Sequence, residues 1–108
     1  KLLLNHGVPS VVSLVSPYIG LRENAWKIID AGDQFAECFV KCSIEKCEER
    51  DVKGMYAKAR KGEIKGFTGI DDPYEAPEKA DLVLDTEHDS LSDSANKVKE
   101  FLKGRNLL

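Results

Sequence analysis

The spacing of apolar positions along the chain changes several times, and each change marks a predicted element. Residues 8–17, VPSVVSLVSP, are a β-branched apolar run bounded by Pro9 and Pro17, the pattern of a buried parallel strand. Beyond it, Leu21, Ala25, Ile28 and Ile29 recur at helical spacing through LRENAWKIIDAG, with Gly32 as the stop. QFAECFVKC predicts a second strand with Phe35 and Val40 in its apolar body. SIEKCEERD opens on Ser43, a good N-cap, and places acids in the first turn, where the helix dipole favours them. VKGMYAKARKG continues helically with a break at Gly54, and ADLVLDT predicts a third strand. In DSLSDSANKVKEFLKG, Ser90 and Asp93 make a capping-box start, while Leu91, Ala95, Val98 and Leu102 share one helix face. At the other end, KLLLNHG has the pattern of a last helical turn closing at Gly7.

Strand and helix thus alternate three times, which predicts an α/β fold: a parallel sheet flanked by helices, with ligands at the carboxyl ends of the strands. No repeat, low-complexity tract or linker divides residues 1–108, so one unit is expected. Apolar content of 42% and charged content of 32% are those of an ordinary globular protein. The net charge of −3 argues against a general affinity for nucleic acid. No run approaches the ~20 apolar residues that span a bilayer, and no basic-then-apolar leader is present, so no membrane role and a cytoplasmic location are expected. Cys38, Cys42 and Cys47 lack paired C-x-x-C spacing and are expected to be buried, reduced thiols. Because the chain opens on Lys1 within a helix-end pattern, it is expected to be part of something longer.

EIKGFTGIDDPYEAP, residues 63–77, fits neither period. Ordering so long an irregular segment costs ~1–2 kcal/mol of backbone entropy per residue, which directs attention to its use. Phe67 lies between Gly66 and Gly69, where an aromatic ring has little core to join but can stack on a planar ligand such as a nucleobase. The glycines give the segment the freedom of a mobile lid from Glu63 to Lys79. Upstream, Arg50, Lys53, Lys58, Arg60, Lys61 and Lys65 are dense for an acidic protein and suit a bound anion such as phosphate or sulfate; a solvated helix face is the alternative. Ser16 follows the first predicted strand at the expected ligand edge, with N-capping of the next helix as its alternative role. From the residues alone, this is an α/β nucleotide- or phosphate-handling unit with a lid.

KGEIKGFTGIDDPYEAP, preceded by CEERDVKGMYAKAR and followed by ADLVLDT, resembles the adenylyl-sulfate kinase family, and the likeness runs from about Gly7 to the end of the chain. GVPSVVSLVSPY and RENAWKI are similar to the family's strand ending in Ser-Pro-aromatic and the helix after it. The resemblance implies the carboxyl-terminal part of a P-loop NTPase-like kinase fold. It also implies transfer of the γ-phosphoryl of ATP, with Mg2+, to the 3′-hydroxyl of adenylyl sulfate, giving 3′-phosphoadenylyl sulfate in sulfate assimilation. Adenylyl sulfate is implied to lie against Val15, Ser16, Lys53, Gly66 and Phe67, with Phe67 stacking on its adenine, and ATP against Arg50 and Asp89. Ser16 also matches the family's phosphoserine intermediate, although in-line attack by a sugar hydroxyl needs no relay.

Two features depart from the family pattern. Ile19-Gly20-Leu21 stands where charged residues often follow Ser-Pro-aromatic, and no G-x-x-x-x-G-K-[ST] phosphate loop occurs in these residues. Phosphate and metal ligands are therefore expected upstream, and no metal ligand is assigned here. A homodimer and a fusion to ATP sulfurylase stay open. So do two rival functions: a non-catalytic, nucleotide-sensing domain fused to ATP sulfurylase, and a related small-molecule kinase.

Overall fold

The computed structural model describes residues 1–107. Its elements are α1 (Leu2–Asn5), α2 (Ile19–Ile29), a 3-10 turn (Gly32–Gln34), β1 (Cys38–Lys41), α3 (Ile44–Arg50), α4 (Met55–Arg60), β2 (Leu82–Asp85) and α5 (Leu91–Gly104). β1 and β2 pair in parallel, with Cys38 opposite Leu82 and Lys41 opposite Asp85. Parallel pairing requires a crossover connection, and α3, α4 and the long loop supply it. The expected parallel sheet flanked by helices is present.

Helix boundaries follow local chemistry. Ser43 caps α3 by accepting from the Lys46 amide at 3.3 Å. Ser90 and Asp93 form the full capping box of α5. The break foreseen at Gly54 is real: its φ of 64° separates α3 from α4. α1 is a single turn, and Gly7 follows it at φ 70°.

Three expectations fail. Residues 8–17 belong to no ladder, and Val11, Val12, Leu14 and Val15 are 89%, 73%, 75% and 65% exposed. A parallel strand is held by its neighbours' hydrogen bonds, and among the described residues no backbone lies in register beside this run. The thiols are not buried: Cys38 is exposed, and Cys42 and Cys47 are half-buried. In α5 the inward face is Ser94, Val98, Phe101 and Leu102 rather than a face beginning at Leu91, which is 89% exposed.

The core is thin. Among the described residues only Ala59 and Leu84 are buried hydrophobic positions. Polar clamps also tie distant segments together. Arg105 donates to the carbonyls of Asp33 and Phe35 and pairs with Asp81 at 2.6 Å, tying the end of α5 to the segments preceding both strands.

The carboxyl ends of the two strands are joined directly. Thr86 donates to the Lys41 carbonyl from its amide and from its hydroxyl, each at 3.0 Å. One oxygen of Glu87 accepts the Ser43 amide, and these contacts hold its carboxyl below the usual carboxylate range. The start of α3 and the turn after β2 therefore form one platform.

Candidate functional site

On that platform, Arg50 at the end of α3 reaches across to donate to the Thr86 carbonyl at 2.6 Å. Its second guanidinium nitrogen lies 3.8 Å from the Cys42 sulfur. Asp89 closes the same turn by donating its amide to the Asp85 carbonyl, and its carboxylate pairs with Lys97 at 2.5 Å. The two residues expected against ATP thus share one structural unit, Arg50 docked on the turn that Asp89 ends.

Arg50, Lys53 and Phe67 line a single open cavity of about 310 Å³, together with Cys47, Asp51, Val52, Met55 and Tyr56. Its lining combines two cations, Arg50 and Lys53, with two aromatic rings, Tyr56 and Phe67. That combination suits a ligand with both anionic and planar parts. Phe67 meets Tyr56 edge-to-face, with ring centroids 4.9 Å apart and planes at 73°. Burial raises the Tyr56 hydroxyl pKa, and a hydrogen bond with Cys47 adds to the effect, so the phenol stays neutral.

Two carboxylates organise this cavity. Asp51 accepts from the Tyr56 and Ala57 amides, each at 3.0 Å, and so caps α4 from outside the helix. Desolvation opposes its ionisation, but the amides of Ala57, Tyr56 and Met55 outweigh that and keep its pKa low. Asp71 accepts from Gly66 at 2.8 Å and from Phe67 at 2.6 Å, and those amides depress its pKa. Within the same turn, Ile70, Asp71 and Asp72 all donate to the Phe67 carbonyl. Gly66 and Gly69 sit at φ 66° and 88°, where a side chain is strained. A Cβ at Gly69 would also lie 2.8 Å from the Ile44 side chain, so the turn packs closely on the start of α3.

Ser16 lies outside this cavity, at the bend between residues 8–15 and α2, with φ at 41°. It does not cap α2. That role falls to Glu75, whose carboxylate accepts the Ile19 amide at 2.7 Å. Arg22 is the hub of this region: it donates to the carbonyls of Ser16 and Glu75, both at 2.7 Å. Its Nε also sits 2.6 Å from Glu37 Oε1, a close pairing of charges without hydrogen-bond alignment. Tyr74 stacks on Phe39 of β1, 6.0 Å between centroids. The latter part of the long loop is therefore fastened to α2 and β1. Val15 is exposed, and nothing in the structure explains its expected role.

A sequence profile of the family described as adenylylsulphate kinase matches residues 1–85. The chain belongs to the adenylylsulphate kinase family. Adenylyl-sulfate kinase from Staphylococcus haemolyticus is 42% identical over 108 residues, covering 100% of this chain and 54% of the relative. The Bacteroides thetaiotaomicron adenylyl-sulfate kinase is 49% identical over 102 residues, covering 94% and 50%. Among solved structures, the Mycobacterium tuberculosis APS kinase CysC, in complex with AMPPNP and APS, matches with a TM-score of 0.84 and 42% identity. That match covers 94% of this chain and 59% of the other. The chain spans about half the length of the curated relatives it matches.

Within this family member, sequence reasoning did not single out Asp51, Asp71, Tyr56 or Glu75. The available signal was chemical: an aspartate just before or after a glycine turn is a ready acceptor for neighbouring amides.

Proposed function

We propose that the protein is an adenylyl-sulfate kinase, transferring the γ-phosphoryl of ATP to the 3′-hydroxyl of adenylyl sulfate. The observation that carries this reading is the convergence of Arg50, Lys53 and Phe67 on one cavity in a chain 42–49% identical to named adenylyl-sulfate kinases. Phe67 stacks on the adenine of adenylyl sulfate, the neighbouring Gly66 lets the backbone approach it, and Lys53 balances its anionic group. Arg50 and Asp89 bound the ATP side, and Val15 and Ser16 contact adenylyl sulfate from the first segment. A cytoplasmic location accords with this reading; among the described residues no helix is long and apolar enough to cross a membrane.

Phosphoryl transfer is chiefly positioning and charge stabilisation, and the residues here supply positioning. Among the described residues no group of three or more His, Cys, Asp or Glu is placed to hold a metal ion, and Mg2+ in such a reaction is held largely by the substrate phosphates with one or two protein ligands. The contribution of these residues is to bind, orient and cover the nucleotides. The lid sequence around Phe67, together with Lys53 on the same cavity wall, favours catalysis over a purely sensing role.

Phe67→Ala in the complete protein tests the reading. Loss of a base–aromatic stack should weaken adenylyl sulfate binding by ~1–3 kcal/mol, with ATP affinity changed much less. Titration calorimetry with each nucleotide separates the two. Equal losses for both would mean that the loop had collapsed and would count against the stack.

A further inference from the structure

We propose that Asp71 and Asp51 are positioning residues that hold the Phe67 ring in register for adenylyl sulfate, Asp71 through the Phe67 backbone and Asp51 through Tyr56. The inference rests on the nucleotide-binding reading above and goes beyond it by assigning roles to two carboxylates through the backbone amides they hold, although Asp51 also lines the cavity.

The two carboxylates do the same thing on opposite sides of one aromatic pair. Asp71 spreads its oxygens over the consecutive amides of Gly66 and Phe67, at 2.8 and 2.6 Å. Asp51 spreads its own over the consecutive amides of Tyr56 and Ala57, both at 3.0 Å. The side chains carried on these gripped segments are the rings that meet edge-to-face at 4.9 Å. Phe67 is consequently held at its N–H by Asp71, at its C=O by three amides of the following turn, and at its ring by Tyr56.

Such a grip has a use. A loop residue that must order itself on binding loses affinity to conformational entropy, and prior ordering removes that loss. Neither the Gly66 nor the Phe67 amide donates to a backbone carbonyl in the structure, so the carboxylate is what satisfies them. Gly66 stands at φ 66°, a conformation that glycine adopts about as readily as others, so the fork helps select one of several accessible backbone states. An exposed charge serving the fold alone would be indifferent to which nucleotide is bound; one that aims Phe67 is not.

Asp71→Asn is the incisive variant. It keeps the side-chain shape but replaces one acceptor oxygen with an NH2, which then faces an N–H donor. In the complete protein we expect the Kd for adenylyl sulfate to rise about tenfold, the scale set by losing one hydrogen bond to a charged acceptor. The Kd for ATP should stay within about twofold and the Tm within about 3 °C. Asp51→Asn should act in the same direction, about threefold, because its effect passes through Tyr56. Phe67→Ala combined with Asp71→Asn should bind adenylyl sulfate no more weakly than Phe67→Ala alone, since the carboxylate acts through the ring. If Asp71→Asn does not fold, Asp71→Ser, which accepts one amide without opposing the other, carries the same expectation.

Wild-type affinity for adenylyl sulfate in the Asp71 variant overturns the positioning role. So does a loss shared equally by both nucleotides with a fall in Tm, or a loss that adds fully to that of Phe67→Ala. Wild-type protein that binds no adenylyl sulfate at all would instead sink the kinase reading, and this inference with it.

Discussion

Arg22 joins three segments that are distant in the chain, so its removal should be costly and measurable. Arg22→Met keeps the apolar stem and deletes the guanidinium. The side chain is only 14% exposed, and the change removes the bonds to the Ser16 and Glu75 carbonyls and the pairing with Glu37. Hydrogen bonds from a charged donor are worth ~1.5–3 kcal/mol each, and a half-buried ion pair falls between the ~0–1 kcal/mol of a surface pair and the ~3–5 kcal/mol of a buried one. Two considerations lower the sum. The Glu37 side chain is 31% exposed, so water recovers part of its solvation. Ser16, released by Arg22, can also leave its left-handed conformation and regain ~1–2 kcal/mol of strain. A net loss of ~3 kcal/mol is expected, read as a lower urea midpoint at unchanged slope. Glu37→Gln on top of Arg22→Met should recover roughly 1 kcal/mol by removing the abandoned charge. A loss below about 1 kcal/mol, or no recovery in the double variant, would show that Arg22 is an ordinary surface cation and that its three contacts are incidental.

Two further outcomes are expected. The 108 residues contain no G-x-x-x-x-G-K-[ST] loop, so this stretch expressed alone should show no turnover of MgATP and adenylyl sulfate in a coupled ADP-release assay, and turnover abolished by Ser16→Ala or Phe67→Ala would contradict that. Asp51, Asp71, Glu87 and Asp93 all have depressed pKa values; a carboxyl of this kind stabilises the fold above its unfolded value of about 4, and the contribution fades as pH falls through the lower folded value. Urea midpoints should therefore be level from pH 7 to about 5 and decline below about 4, and a level profile down to pH 3 would mean that the carboxylate caps contribute nothing.

Legibility in the sequence tracked the range of the forces involved. Ser43, the break at Gly54 and the Ser90–Asp93 box act within four residues, and each is where local chemistry puts it. The strand expected at residues 8–17 depends on a neighbour, which β-branched composition cannot guarantee. The inward face of α5 was misread for a related reason: Ser94 is buried and Leu91 is not, because packing against β2 rather than hydrophobicity selects the face. At the site, Phe67 stood out as a loop aromatic with no core to join, whereas Arg50 and Lys53 were two of six neighbouring cations and were singled out only by the family resemblance. Asp51 and Asp71 were not, since a carboxylate that serves backbone amides looks in sequence like any solvated acid.

The unladdered run at residues 11–15 bears on how residues 1–108, expressed without the rest of the protein, behave in a test tube. Val11, Val12, Leu14 and Val15 present apolar surface to solvent, and the two-stranded sheet keeps an open backbone edge on each side. Both are templates for strand addition by another molecule. Pro9 and Pro17 bracket the run and Lys41 ends β1, which shortens the adhesive stretch without removing it. With only three net charges to keep its molecules apart, this stretch alone should associate increasingly as its concentration rises. Fusion to a highly charged carrier, or low protein concentration throughout, suits its purification.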